Sequence, residues 1–171
     1  MLADIFQEVR NSESDVFAGK VHDLIVEPGR SIVGDAGVLL TRVEYVKKTL
    51  HRNFGIVDAA MNDILRPSLY DAWHDIIPLT RQAPGAGNDI YDIVGPVCET
   101  GDFFGRARNL SLTEGEVLAV CTAGAYGFCM SSNYNSRPRA CEIMLDRGNI
   151  HEIRRRENID DLLTGETLLP L

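Results

Sequence analysis

Lysine is scarce in this 171-residue chain: of 17 basic side chains only Lys20, Lys47 and Lys48 are lysines, and the rest are arginines. Chemistry that depends on a catalytic lysine therefore has few candidates. The four cysteines, Cys98, Cys121, Cys129 and Cys141, form no C-x-x-C pair and have no histidine at zinc-ligand spacing, so no metal site is expected. A chain this long can be stable without disulfides, and a reducing cytoplasm is its simplest home. The amino terminus lacks a basic stretch followed by an apolar one, and nowhere do about 18 apolar residues run together. Neither secretion nor membrane spanning is expected. There is no P-loop and no Rossmann glycine pattern. Basic residues are outnumbered by 25 acidic ones, a formal charge of -8, which argues against nucleic acid as a partner.

What is present is ordinary globular material: 44% hydrophobic and 25% charged residues, enough for one core. The length suits a single domain and falls short of a complete (β/α)₈ barrel, which needs roughly 250 residues. Leu2, Ile5, Phe6 and Val9 recur at helical spacing and predict one short amphipathic helix. Leu24-Ile25-Val26 is a buried-strand run that feeds a turn at Pro28-Gly29. Strand-like runs follow at Val38 to Val46, Phe54 to Val57, Ile90 to Val97, Val117 to Cys121 and Ile143 to Leu145. Gln82 to Asn88 is a breaker cluster that reads as an exposed loop. The expectation is a helix and a strand of α/β type, then an antiparallel β-domain.

Four stretches can carry chemistry. Glu27-Pro28-Gly29-Arg30 sits at the carboxyl end of the first strand run, where ligands collect in α/β folds; glycine permits close backbone approach and arginine offers a fork for phosphate or carboxylate. A plain turn with a surface ion pair explains the same residues. In Arg66-Pro67-Ser68-Leu69-Tyr70 a single helical turn puts Arg66 and Tyr70 on one face, able to grip one carboxylate; Asp63 or Asp71 could equally pair with Arg66. Cys98-Glu99-Thr100-Gly101-Asp102 sets a cysteine beside two carboxylates, whose repulsion disfavours a thiolate and suits Cys98 to donate a proton. Glu99 could meet a cationic substrate group, with Gly101 permitting a tight turn that brings both side chains, Cys98 and Glu99, to one spot. A structural cysteine before an acidic turn is the rival reading. Ala123-Gly124-Ala125-Tyr126-Gly127 lacks bulk and admits a flat ring, or simply packs closely. Arg154-Arg155-Arg156 reads as a solvated face, and the four scattered histidines as structural or exposed.

In this order, and with Gly95-Pro96-Val97 leading into the cysteine, the motifs resemble the carboxy-terminal part of the diaminopimelate decarboxylase family, from about residue 21 to the end. Val57 to Asp63 and Ser131 to Pro138 share the likeness. The resemblance implies a mainly β fold: residues 31–171 as the C-terminal β-barrel or sandwich domain of a fold-type III pyridoxal-phosphate decarboxylase, preceded in residues 1–30 by the last helix and strand of a (β/α)₈ barrel. It implies removal of a carboxylate from meso-diaminopimelate with release of lysine, and a homodimer in which the cysteine loop enters the neighbour's barrel. By motif position, Glu27, Pro28, Gly29, Arg30 and Tyr126 would contact pyridoxal phosphate. Arg30, Arg66, Tyr70, Glu99 and Tyr126 would contact substrate, and Cys98 would be the proton donor. None of the three lysines matches the lysine that holds the cofactor, so the chain is expected to be a C-terminal portion, not competent alone. A non-catalytic binding or dimerisation module derived from that enzyme is one alternative. The other, an ornithine or arginine decarboxylase relative, fits the Glu-Thr-Gly-Asp segment less well.

Overall fold

The computed structural model describes residues 25, 27–80 and 88–170. The helix expected near residues 2–9, most of the strand run at 24–26 and the loop at 82–88 apart from Asn88 lie outside the described residues.

Eight strands organise the described chain. β1 (Leu39–Lys48), β2 (Asn53–Val57), β3 (Ile76–Pro78), β4 (Asp89–Val94), β5 (Phe103–Leu110) and β6 (Val117–Val120) form one sheet in the order β3-β6-β1-β2-β4-β5. The sheet curls until its edge strands β3 and β5 touch, leaving a nearly closed barrel. Alternation drives this: Thr41 and Val43 on β1, Gly55 and Val57 on β2, and Tyr91 and Ile93 on β4 point inward while their neighbours are less buried. Val43, Val57, Ile93, Phe104, Leu118 and Val120 meet in the core. Each such side chain contributes about 1.5–3 kcal/mol by leaving water.

Five of these elements, β1, β2, β4, β6 and β7 (Glu142–Asp146), lie where the apolar runs predict strands, with ends shifted by a few residues. β4 stops at Val94 rather than Val97, because the Gly95 N–H turns to the Asp102 carbonyl and Pro96 has no N–H to donate. The expectation of a purely antiparallel domain is corrected: β2 and β4 pair in parallel, Asn53 with Tyr91 through Ile56 with Val94. The connection that a parallel pair requires is residues 58–88, which contains β3 and a short helix. β5 was hidden because Gly105 and a left-handed Ala107 (φ 52°) interrupt its alternation.

Among the described residues helices are few, as expected. The turn anticipated at Pro28-Gly29 opens α1 (Gly29–Val33), which continues as a 3₁₀ turn over Gly34–Ala36. α2 (Arg66–Tyr70) carries Pro67 in its first turn, where its fixed φ suits the helix, and is capped by Asp71 in the left-handed region (φ 51°) with its N–H on the Arg66 carbonyl. β7 and β8 (Asn149–Arg154) form a separate hairpin around Arg147-Gly148. Every residue of β8 is exposed.

Candidate active site

Two backbone contacts dock α1 beside the end of β6. Ala123 N–H donates to the Gly37 carbonyl at 2.8 Å and Gly124 N–H to that of Gly34 at 2.9 Å, while Thr122 Oγ1 donates to Asp35. Gly124 lies against the Val33 carbonyl so closely that a Cβ there would run into it. The docking leaves Tyr126 next to the start of α1: a Cβ on Gly29 would stand 3.3 Å from the Tyr126 hydroxyl.

α2 approaches the same spot. The Arg66 guanidinium carbon is 5.8 Å from the Tyr70 ring centre and 5.7 Å from that of Tyr126, within range of cation–π attraction to both. Neither aspartate named above takes it: Asp63 accepts the Ala60 N–H, and among the described residues no ion pair involves Arg66. Arg66 Nε is buried with no hydrogen-bond partner. Gly29, Arg66, Tyr70 and Tyr126 thus converge, while Glu27 and Arg30 stay exposed beside them.

The second part is the loop between β4 and β5. Asp102, only 4% exposed, accepts from Met61 N–H and Val97 N–H, each at 2.7 Å, and so closes the turn and ties it to the segment that follows β2. Burial pushes its carboxyl above the usual range, against those two N–H donors. Cys98 and Glu99 are exposed. Asp102 builds the loop and Glu99 faces out, its Oε2 accepting from the Tyr134 hydroxyl at 3.4 Å and its Oε1 from Gly101 N–H at 3.3 Å. The Ser68 hydroxyl donates to the Gly101 carbonyl and fastens this loop to α2. The arginine of one motif and the cysteine of another are thereby carried by joined elements.

Ser68, Asp102, Tyr134 and His74 escape a reading by motif. Ser68 sits inside a quoted motif but looks like filler there, and Asp102 reads there as a second carboxylate beside Cys98 rather than as the group that builds the loop. His74 is 1% exposed and held by the Cys121 carbonyl, with Nδ1···O at 2.8 Å; burial pushes its pKa down. Arg155 pairs with Asp161 and Arg154 with Glu142 in exposed ion pairs, as the solvated-face reading has it.

A curled sheet preceded by a small helical segment, with an arginine held between tyrosines and a cysteine-glutamate loop tied beside it, matches one known family. Residues 7–124 match the model of the pyridoxal-dependent decarboxylase C-terminal sheet domain, and the chain belongs to that family. Among its relatives is diaminopimelate decarboxylase of Pseudomonas aeruginosa, 57% identical over 152 residues, covering 89% of this chain and 36% of that protein. The solved diaminopimelate decarboxylase of Helicobacter pylori in complex with L-lysine superposes with a TM-score of 0.78 at 43% identity, over 95% of this chain and 39% of that one. The M. jannaschii enzyme, also with L-lysine, gives a TM-score of 0.82 at 37% identity over 99% of this chain and 38% of that one. The chain thus spans little more than a third of the length of these relatives. Among the described residues no helix is long and apolar enough to cross a membrane.

Proposed function

We propose that the chain supplies substrate- and cofactor-contacting groups for the decarboxylation of meso-2,6-diaminopimelate to L-lysine and CO₂, together with the part of its relatives that it does not span. The observation that carries this reading is the convergence of Gly29, Arg66, Tyr70 and Tyr126 beside the Cys98–Glu99 loop. The residues fit pyridoxal phosphate: Gly29 leaves its backbone open beside the Tyr126 hydroxyl, and Glu27, Pro28 and Arg30 flank it. When bound, that cofactor supplies the sink for the electron pair left when CO₂ departs.

The chain's own groups take the remaining tasks. Arg66 presents a planar fork suited to a carboxylate, with Tyr70 beside it, and the two rings limit where the fork can turn. Arg30 adds a second cation at the same end of α1. Glu99, steadied by Tyr134 and Gly101, meets the distal ammonium. The Cys98 thiol gives its proton to the carbon that loses CO₂. Cys98 and Glu99 are exposed here, so a covering surface is needed to keep water from that carbon; the neighbouring barrel of a homodimer provides one. The four cysteines are free, in keeping with a reducing, cytoplasmic setting.

The test is reconstitution. The chain, co-expressed with the barrel portion of the P. aeruginosa relative and given pyridoxal phosphate, should release lysine from meso-diaminopimelate. Cys98→Ala should lower turnover by about 10²-fold or more, the usual share of a positioned proton donor. A folded assembly that binds the cofactor but forms no lysine would sink the reading.

A further inference from the structure

Glu99 keeps its charge although cations stand near it. Arg52 and Arg106 line the same hollow of about 600 Å³ as Glu99, yet both are engaged elsewhere. Arg52 pairs with Asp92 at 3.2 Å, and the Arg106 guanidinium stacks on the Phe103 ring, 3.9 Å from its centre. Among the described residues no ion pair involves Glu99. Its carboxylate is held instead by two neutral donors, one on each oxygen: Gly101 N–H on Oε1 at 3.3 Å and the Tyr134 hydroxyl on Oε2 at 3.4 Å. A neutral donor orients a carboxylate without cancelling its charge, whereas a paired guanidinium does both.

Gly101 belongs to the turn that carries Glu99, but Tyr134 is 35 residues away in sequence and its place has to be built. Asn62, only 1% exposed, builds it. The Asn62 carbonyl accepts from Ser132 N–H at 2.9 Å, its Nδ2 donates to the Ser132 carbonyl at 3.1 Å, and its Oδ1 accepts from Arg137 Nε at 3.0 Å. Asn133 Nδ2 donates to the Arg137 carbonyl at 3.0 Å and closes the loop. Between these anchors Asn135 (φ 60°) and Ser136 (φ 54°) are both left-handed, a conformation that residues other than glycine keep only where their surroundings impose it. Met61, next to Asn62, gives its N–H to Asp102, the residue that closes the Glu99 turn. Two adjacent residues thus carry the two loops that meet where Tyr134 touches Glu99. The Tyr134 ring is half exposed and is no part of the core.

We propose that Tyr134 is a positioning residue that sets specificity for a cationic distal group: its hydroxyl fixes the direction of the Glu99 carboxylate and leaves the charge for the ammonium of the substrate. This deepens the functional reading above and rests on it for the identity of that ammonium, but the contact itself is testable without cofactor or turnover.

Two measurements test it. In the reconstituted assembly, Tyr134→Phe should raise KM for meso-diaminopimelate about 2- to 10-fold, the reach of one hydrogen bond, with kcat within about twofold. D-2-aminopimelate, which has hydrogen in place of the distal ammonium, should keep its kcat/KM in that variant. Tyr134→Arg brings a donor that also neutralises Glu99, and should weaken meso-diaminopimelate more than Tyr134→Phe does while sparing the analogue. In the ¹³C,¹⁵N-labelled 171-residue chain, three-bond couplings should report one set of χ1 and χ2 rotamers for Glu99, and averaged values in Tyr134→Phe. The proposal is overturned if KM for meso-diaminopimelate does not change in either variant, if the analogue loses as much as the diamine, or if the Glu99 couplings are the same in both chains. Those outcomes leave the decarboxylase reading standing. An assembly that binds pyridoxal phosphate but releases no lysine removes that reading instead, and the couplings still decide the contact.

Discussion

Gly124 shows how little room the site leaves. Its backbone lies against the Val33 carbonyl and, at 2.8 Å from a would-be Cβ, the Gly37 nitrogen. Gly124→Ala must push α1 away from Tyr126, and is expected to cost about 1–3 kcal/mol, read as a lower urea midpoint. Asp102 gives a sharper case. Asp102→Asn keeps one acceptor but turns an amide N–H₂ toward either Met61 N–H or Val97 N–H, and should lose about 1–3 kcal/mol. Its pH dependence has a definite sign. Because the folded carboxyl titrates above its unfolded value, its contribution is fully present below the unfolded pKa and is lost as pH rises through the folded one. Wild-type stability should thus carry a component falling with rising pH in the acid range that Asp102→Asn lacks, measured by denaturation at stepped pH. At this scale the sequence was partly legible. Cys98, Arg66, Tyr70 and Tyr126 stood out because their residue types are chemically loud. Ser68 and His74 did not, and Asp102 did so only as a carboxylate beside Cys98, since the partners that decide their roles lie 33, 47 and 41 residues away, where no local pattern displays them.

Among the elements, α2 and the β4–β5 loop are coupled by one hydroxyl. Ser68→Ala leaves the Gly101 carbonyl without its donor and should speed amide exchange at Glu99 and Asp102 by about 3- to 10-fold, the reflection of a hydrogen bond worth about 0.5–1.5 kcal/mol. The central strands of the six-stranded sheet should show no such change. The β7–β8 hairpin stands apart: Ile143, Met144, Leu145, Ile150 and Ile153 are each at least half exposed. A two-stranded hairpin is marginal by itself, so its amides should exchange well before those of β2 and β4. Strand runs with clean alternation were visible in the residue order. β3, β5 and β8 were not: β3 is only three residues long, Gly105 and the buried Arg108 break the apolar pattern of β5, and the side chains of β8, histidine, glutamate and arginine among them, are all exposed.

At the scale of the whole molecule, the tail is clasped to the barrel by charge and amide contacts rather than by core. Glu157 accepts from Arg139 N–H and Nε and from Asn133 Nδ2, and the paired Arg139 guanidinium draws its carboxyl down to about 2. Arg137 extends the clasp to Asn62 and the Asp58 carbonyl. A depressed carboxyl stabilises above its unfolded pKa and releases that stability as pH falls toward 2. Contacts within 133–157 should therefore loosen below about pH 4.5, and Glu157→Gln should flatten the dependence; backbone amide shifts of Asn133 and Arg139 report it. The mainly β character was legible from composition and runs, whereas the parallel β2–β4 pair was not, because pairing across a 30-residue connection leaves no mark in either strand.

That same pair sets the order in which things form. Bringing β2 to β4 closes a loop of residues 58–88, an entropic cost of about 3 kcal/mol before any contact between the strands is gained. Arg66, Tyr70 and His74 all ride in this loop, anchored at both ends by core strands, so the arginine pocket has no early, independent existence along the folding route. Trp73, the only tryptophan, rides there too, under the Arg108 guanidinium. Its fluorescence should change in the same, comparatively slow kinetic phase as the far-ultraviolet signal of the sheet.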